Sequence, residues 1–323
     1  MSCRPICAVF ATLAFASVGS AQIGNRAQLA TAPDFLRNAL NAGGLSYTGT
    51  RTVEFLTGQR WRTHTEYVTH QGARTRIEVA VARGKGPVAV EDGTQRWEYF
   101  PGRNEIEQLP ARNDDSIRRL AGQVASHIRE RWTIGQEDGG EVAGIATKLA
   151  VFTDRRGVVR ERLYIDPQTG MILKRIVYDL AGAEKAGFRY ETIDYTASIP
   201  EQAFALNFPG AKVVTVHERL SRIQRRLGFF TNRLRSSRYR LDSVKEFKAG
   251  TENGIAQFYS IGDRKFAVVQ TRGPLDPGKL RQLSSPQTHV YTCQRNGETI
   301  AIVGEIDERS LEEISRDLTQ VNP

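Results

Sequence analysis

Cysteine is scarce in this chain. Three of its 323 residues are cysteines: Cys3, Cys7 and Cys293. The first two lie within residues 1–21, which have the pattern of a removable leader, so the exported chain would keep Cys293 alone. One cysteine excludes an internal disulfide, and a chain of about 300 residues can bury an adequate core without one. We predict that Cys293 is a small buried side chain in a strand; a reactive thiol or an intermolecular disulfide is the alternative.

Familiar catalytic motifs are absent as well. The sequence contains no Gly-x-Ser-x-Gly, His-Glu-x-x-His or phosphate-binding loop. His64 and His70 would share one face of a strand, but they are too far apart to bind one metal ion. A zinc site needs three or four convergent ligands, and the other histidines are isolated in the sequence. The sequence therefore favours a binding protein without catalytic residues, metal or cofactor over an enzyme.

The chain has one long apolar run, and it lies at the start. Arg4 precedes the run from Ile6 to Val18, and small residues follow at Gly19 to Ala21. The run has about thirteen residues, whereas a helix that spans a bilayer needs roughly twenty. This pattern is typical of a secretory signal peptide, so we expect residues 1–21 to be cleaved and the protein to be exported. The alternative is a buried amino-terminal helix.

What the sequence does contain is a series of strands, clearest between Gly144 and Tyr195. Polar and apolar residues alternate in Arg160–Ile165, and Asp166–Gly170 supplies proline and glycine for a tight turn. The return strand Met171–Tyr178 and a third strand, Phe188–Ile193, follow. Such a meander forms an antiparallel sheet with one face in the core and one face accessible.

The length and the pattern predict two domains after the leader. The first, residues 26–206, would combine two helices, from Asp34 and over Ser116–Trp132, with one long antiparallel sheet. A twisted sheet of this size tends to curl, and helices over the concave face would close an apolar interior. Residues 207–212 would form a linker, and residues 213–323 a smaller domain. The predicted fold class is α+β with mostly antiparallel strands.

The second domain reads as a small α+β unit. A helix rich in arginine is expected over His217–Leu227, followed by five strands between Tyr239 and Glu305. Asp307 would cap a closing helix, with Leu311, Ile314 and Leu318 on its buried side.

Apolar side chains of the first sheet are candidates for a ligand cavity. Residues of equal parity in one strand share a face, and aromatic side chains on one face can line a pocket of a few hundred cubic ångströms. The alternative is that these side chains fill a dry core. The candidates are Tyr47, Val53, Phe55, Trp97, Tyr99, Leu163 and Ile165.

Basic residues are concentrated between Lys212 and Lys248, with eleven Lys or Arg against three acids. Such a field can attract an acidic protein or an anionic envelope surface. A merely solvated face is the alternative, and nucleic acid is disfavoured because no recognition motif is present. The candidate binding residues are Arg222, Arg225, Arg226, Arg233, Arg235 and Arg238.

Several segments together resemble the MucB/RseB family of periplasmic sigma-factor regulators. Leu45-Ser-Tyr-Thr-Gly-Thr50 resembles the first-strand motif of the family, and Trp97-Glu-Tyr-Phe-Pro101 resembles its strand-then-proline piece. Glu161-Arg-Leu-Tyr-Ile-Asp166 with Thr169-Gly170 is similar to its central hairpin. Ile199–Phe204 resembles the end of its first domain, and Gly297–Glu305 resembles a strand of its second. The order and spacing of these segments cover most of the mature chain.

The resemblance implies a fold and a role. The first domain would be a curved half-barrel sheet covered by helices, similar to the LolA/LolB lipoprotein carriers. The protein would be periplasmic, would bind the periplasmic segment of a membrane-anchored anti-sigma factor and would limit its proteolysis. A hydrophobic cavity would sense a lipid or a lipoprotein acyl chain. The chain departs from the family at Thr251–Gly254 and in the strongly basic segment Val213–Arg238, which leaves room for another protein partner. A LolA-like carrier of lipoproteins or lipids is the alternative function.

Overall fold

The computed structural model describes residues 44–57, 59–84, 86–111, 133–179, 181–249, 252–262, 264–272, 289–304 and 306–321. The predicted leader 1–21 and the predicted helices from Asp34 and over Ser116–Trp132 lie outside these residues. The described chain divides into two compact units, one ending at Val213 and one beginning at Val214.

The first unit is built on one antiparallel sheet, in agreement with the predicted fold class. The strands run in the order β12-β6-β5-β4-β3-β2-β1-β11-β10-β9-β8-β7. They are β1 (Ser46–Thr57), β2 (Arg60–Gln71), β3 (Arg74–Val79), β4 (Val88–Glu91), β5 (Gln95–Phe100), β6 (Glu105–Pro110), β7 (Thr133–Val142), β8 (Ile145–Thr153), β9 (Val159–Ile165), β10 (Ile172–Tyr178), β11 (Glu184–Asp194) and β12 (Lys212–Thr215). Within the described ranges, β12 and β7 are the two ends of an open sheet rather than neighbours in a closed barrel.

The turn between β9 and β10 forms as its sequence predicts. The amide of Gly170 donates to the carbonyl of Asp166 at 2.8 Å. The Asp166 carboxylate accepts hydrogen bonds from the Gln168 amide at 2.9 Å and from the Thr169 hydroxyl at 2.6 Å. Gly170 has a φ of 75°, a left-handed conformation that glycine adopts without steric cost. The turn therefore fixes the register of the central hairpin.

The sheet is strongly curled at its β7 end. Four strand spacings separate β7 from β11, which would be about 19 Å in a flat sheet. Nevertheless Cα atoms of the two strands approach within 8 Å. The register of β7 against β8 shifts between Asp138 and Gly140, and Gly140 has a φ of 69°. A bulge of this kind bends a strand, so the tip of the β7–β8 hairpin can turn over one face of the sheet.

The register assigns every side chain of the sheet to one of two faces. We call the face that carries Tyr47, Arg51 and Val68 the inner face, because the hairpin tip at Val142 packs in one cluster with Tyr47 and Val68. The opposite face, which carries Thr48, is the outer face. Part of the outer face is covered by the chain itself, because residues 204–211 pack over β4, β5 and β6 after a short 3-10 helix, Glu201–Phe204.

The described residues of the second unit form two helices, a pair of strands and a five-stranded sheet of order β14-β15-β16-β18-β17. Its elements are α1 (Val216–Leu227), β13 (Thr231–Leu234), β14 (Arg240–Ala249), β15 (Glu252–Ile261), β16 (Arg264–Thr271), β17 (His289–Arg295), β18 (Glu298–Gly304), α2 (Glu308–Asp317) and β19 (Leu318–Val321). The strand β13 pairs with β19.

Both helices begin with a side-chain cap, and the cap at Asp307 was predicted from the sequence. At α1 the hydroxyl of Thr215 accepts from the Glu218 amide, and the Glu218 carboxylate accepts from the Thr215 amide at 2.7 Å. This reciprocal pair satisfies two amides that the helix itself leaves unbonded. At α2 the carboxylate of Asp307 accepts from the Ser310 amide at 2.9 Å. Cys293 lies in a strand, β17, as predicted, but it is half-buried rather than buried, with its sulfur 3.6 Å from the Ser315 hydroxyl.

Candidate functional site

The sheet does not bring all seven candidate cavity residues to one face. Val53 pairs with Phe188 across neighbouring strands, and Phe188 pairs in turn with Arg175. Arg175 pairs with Leu163, so all of these positions share the inner face. Five candidates lie there: Tyr47, Val53, Phe55, Leu163 and Ile165. Trp97 and Tyr99 lie on the outer face.

The outer position of Trp97 follows from the pairing of five neighbouring strands. Thr48 pairs with Thr69, Thr69 with Arg76, Arg76 with Val90, and Val90 with Trp97. Parity within a strand shows which residues share a face of that strand. It does not show which of its two faces continues a given face of the neighbouring strand, because that depends on the register between the strands. The sequence interpretation did not include this register.

The surroundings of Trp97 and Tyr99 are those of a filled core. The ring of Tyr99 stacks on Phe208 with 3.6 Å between the centroids. Trp97 and Tyr99 belong to one apolar cluster with Val90 and Phe204. For these two residues the chain itself, through residues 204–211, supplies the apolar partner.

One end of the inner face is filled with aromatic side chains. Tyr47 is buried, stacks on His70 with a centroid distance of 5.2 Å, and places its hydroxyl 3.4 Å from that of Tyr190. Burial, reinforced by the neighbouring Tyr190, raises the pKa of Tyr47 well above its ordinary value. The hydroxyl of Tyr195 donates to the buried Asp166 carboxylate at 3.2 Å. These tyrosines tie the central hairpin to β1 and close this end of the inner face.

Farther along β1 the inner face carries an ion pair among apolar side chains. The guanidinium of Arg51 contacts the Glu66 carboxylate at 2.7 Å, and a His64 ring nitrogen lies 2.9 Å from the same carboxylate. Arg51 also lies 5.1 Å from the ring centre of Phe188, a cation–π distance. Burial alone would raise the pKa of Glu66, but the charge of Arg51 and the hydrogen bonds from His64 and Arg51 outweigh it, so the pKa is lowered.

A second ion pair lies on the same face. Arg175 on β10 bonds to Glu161 on β9 at 2.5 Å, and the two side chains are 11% and 6% exposed. The exposed fractions are small enough that the pair is largely removed from water. The inner face is therefore amphiphilic rather than purely apolar.

Val53 and Phe55 are half-buried beside the first ion pair. Val53 pairs with Phe188 across the strands, and the Phe55 ring lies 5.9 Å from the His64 ring. Apolar side chains next to a charged triad can hold a molecule that has both an apolar chain and a polar group. The charged members of this site were missed in the sequence, although Arg51 has the same parity as Val53 and Phe55.

The arginines of α1 form an exposed surface as predicted. Arg222, Arg225 and Arg226 lie on the side of the helix away from its buried residues, Leu220 and Ile223. Arg226 contacts Glu246. At the carboxyl end of a helix, cations also complement the helix dipole.

The remaining three predicted arginines differ from one another. Arg233 is half-buried, bonds to the Ser221 hydroxyl and has a buried Nε without a hydrogen-bond partner among the described residues. It stabilises α1 against β13 and belongs to the interior more than to the surface. Arg235 and Arg238 are exposed, and Arg238 lies 4.6 Å over the Tyr239 ring.

No further chemistry is evident in the parts of the chain that the structure describes. In these parts no three His, Cys, Asp or Glu side chains are grouped so that they could hold a metal ion. Nor does any helix in them have the length and apolar character that a membrane span requires.

Comparisons with known proteins were made at three levels. No protein-family model and no curated protein sequence matches the chain. Solved structures do match. A crystal structure of MucB is 18% identical with a TM-score of 0.47 and covers 90% of this chain and 98% of its own. The complex of Pseudomonas aeruginosa MucA/MucB is 18% identical with a TM-score of 0.46, covering 90% and 99%.

A LolA superfamily protein from Nitrosomonas europaea also matches, over 53% of this chain and 96% of its own, with 12% identity and a TM-score of 0.29. MucB belongs to the family that the sequence motifs resemble.

Proposed function

We propose that this protein is a periplasmic regulatory binding protein that holds the periplasmic segment of an anti-sigma factor and limits its proteolysis. The observation that carries the proposal is the arrangement of the MucB/RseB-like motifs on the structure. Those of the first unit lie on β1, β5 and the β9–β10 hairpin of a curled sheet, and Gly297–Glu305 covers β18 of a separate α+β unit. Among solved structures, MucB has been crystallised with the periplasmic part of MucA.

The inner face of the first unit supports a sensing role for this unit. Val53 and Phe55 supply apolar surface beside Arg51, and Phe188 lies across from Val53. An amphiphile such as a lipid or a lipoprotein acyl chain would place its chain on the apolar side chains and its polar group near the ion pair. Occupancy would then alter the second unit's affinity for its partner. This coupling is part of the proposal.

The second unit supports the partner-binding role. Its exposed arginines on α1, together with Arg235 and Arg238, make a positive surface that attracts an acidic polypeptide. The same surface is suited to anionic envelope components, which would compete with the acidic polypeptide for these arginines. In this division of roles, the first unit senses and the second unit holds.

The proposal is tested by co-purification from the periplasm. We expect the full chain to retain an intact anti-sigma periplasmic segment and to slow its cleavage by a periplasmic protease. Deletion of residues 216–323, which leaves Phe208 and β12 on the first unit, should abolish retention. If the segment still binds after this deletion, the assignment of binding to the second unit is wrong.

A LolA-like carrier is the rival function. A carrier would release bound acyl chains to an acceptor and would not form a lasting complex with a protein. Transfer of a labelled lipoprotein to acceptor vesicles, with no retained polypeptide, would favour the carrier. The presence of the second unit argues against it, because the LolA superfamily structure matches only 53% of this chain.

A further inference from the structure

The second unit contains a groove that was not predicted from the sequence. Its volume is about 330 Å³. The lining residues come from four separate parts of the chain: Arg238 and Tyr239 before β14, Ile261 and Arg264 at the β15–β16 turn, Ile306 before α2, and Ser310, Glu313 and Ile314 on α2.

The groove has an apolar floor. Tyr239, Ile306 and Ile314 are almost fully buried, with 7%, 3% and 2% exposure. Because these side chains are fixed in the core of the unit, the floor is rigid. A site with a rigid floor loses little conformational entropy when it binds a ligand.

The rim of the groove is positively charged. Arg238 and Arg264 are both exposed. Glu313 is the one acid among the lining residues, and it lies 3.7 Å from Arg309. The nearby Asp307 carboxylate accepts from the amide and hydroxyl of Ser310, at 2.9 and 2.7 Å. These bonds and, more weakly, the charge of Arg264 lower the pKa of Asp307, so it stays ionised. Two guanidinium groups therefore flank an apolar floor, with Glu313 and Asp307 as the acids beside them.

We propose that this groove binds a short acidic segment of the partner polypeptide, with one apolar side chain on the floor and carboxylates paired to Arg238 and Arg264. This inference rests on the proposed function and specifies the partner's chemistry. Guanidinium groups bind carboxylates with two parallel hydrogen bonds, which gives direction as well as charge attraction.

The apolar floor favours a peptide over a polyanion or a membrane surface. A phosphate backbone would gain nothing from Ile306 and Ile314, whereas a peptide can place an apolar side chain on them. A peptide with alternating acids and a leucine uses both properties. Arg264 becomes part of the partner surface by this argument, although it lies 26 residues from Arg238 in the sequence.

The test uses the full chain and a fluorescein-labelled peptide, GSDELDESG, in a fluorescence anisotropy titration. We expect binding that weakens about tenfold in R238A and in R264A, because each variant removes one charge-assisted pair. The matched peptides GSNQLNQSG, without charge, and GSDESDESG, without leucine, should each bind at least tenfold more weakly. R316A is the control: Arg316 is 71% exposed on α2 and bonds to Glu312 at 2.6 Å.

A charge-exchange variant distinguishes loss of peptide binding from loss of folding. R264E should bind the peptide GSKKLKKSG about tenfold more tightly than the unchanged chain does, which an unfolded protein cannot do. Equal loss in R316A, or no rescue in R264E, would overturn the inference. A third result would also overturn the inference. In it, the peptide does not bind, while the unchanged chain and R238A bind anionic phosphatidylglycerol vesicles equally well.

Failure of this inference and failure of the proposed function can be told apart. The same variants are titrated with the periplasmic segment of the anti-sigma factor. If the unchanged chain binds the segment but not the peptide, the groove assignment is wrong and the proposed function stands. If the peptide binds at the groove and the segment does not, the groove recognises a different acidic partner.

Discussion

The large sheets of the two units bury their surfaces in different ways. In the second unit all seven residues of β18 are buried, so this strand is enclosed on both faces. In the first unit the inner face of the sheet carries ion pairs, Arg51 with Glu66 and Arg175 with Glu161, among its apolar side chains.

The difference shows where each unit can act. A strand that is buried on both faces offers no surface to a ligand, so partners of the second unit must bind at its rim, where the groove and the α1 arginines lie. A sheet with charged pairs on its inner face keeps polar groups at a cost in desolvation. Such a surface suits a ligand that has both polar and apolar parts. The predictions below test this contrast in order of expected effect.

The largest effect is expected from the core of the second unit. Phe266 on β16 is 2% exposed and stacks on Tyr259 with 5.4 Å between the ring centres. Phe266→Ala should lower the free energy of unfolding by about 3–5 kcal/mol, because it leaves a cavity. Urea denaturation followed by circular dichroism measures this. Phe230→Ala, at a position 38% exposed, should cost less than about 1 kcal/mol, and equal losses would refute the closed core.

The inner-face ion pair of the first unit comes next. Arg175→Met removes one charge and leaves Glu161 buried without it, at an expected cost of about 3 kcal/mol. The double variant R175M/E161L should regain most of this loss, since an apolar pair of similar size avoids the desolvation cost. Urea denaturation of both variants gives the comparison. A double variant as unstable as the single one would show that the ion pair itself stabilises the fold.

A substitution on the outer face should have a smaller effect on the free energy of unfolding. Phe208→Ala removes the ring that stacks on Tyr99 and should cost about 1–2 kcal/mol, since Phe208 is only half-buried. The amides of β5 should exchange hydrogen faster as a result. Trp61→Ala, at a position 48% exposed, serves as the control and should leave these amides unchanged. Unchanged exchange in both variants would mean that residues 204–211 do not hold the outer face.

The smallest effect concerns pH. The pKa of Glu66 is lower in the folded chain than its ordinary value of 4.5. A lowered folded pKa contributes stability above the unfolded pKa, and this contribution is lost as the pH falls through the folded value. Urea midpoints between pH 7 and pH 3 should therefore fall less steeply for Glu66→Gln than for the unchanged chain. Identical slopes would contradict the role of Arg51 in holding the carboxylate charged.

The sequence predicted most strands because their patterns are local. The hairpin around Asp166–Gly170 and the caps at Thr215 and Asp307 depend on neighbouring residues, and the structure confirms the hairpin and the Asp307 cap. Five of the described strands were missed. Four of them, β4, β12, β13 and β19, have only four residues each, and β7 contains Gly135, Gly139 and Gly140, which weaken the usual strand pattern.

The features that the sequence did not predict depend on distant pairing. The outer position of Trp97 follows from four successive strand pairings, and no parity rule within one strand contains that information. The burial of Arg233 depends on Ser221 in α1, and the groove depends on bringing Arg264 beside α2. Each of these requires the tertiary fold, whereas the arginines of α1 were predictable from their own helix.

The most direct test of the account is a native mass spectrum of the exported chain together with the molecules that co-purify with it. The account predicts a complex with one acidic polypeptide that survives in R316A and is lost in the double variant R238A/R264A. A spectrum that shows only lipid bound, with no polypeptide in any variant, would contradict it and favour the carrier.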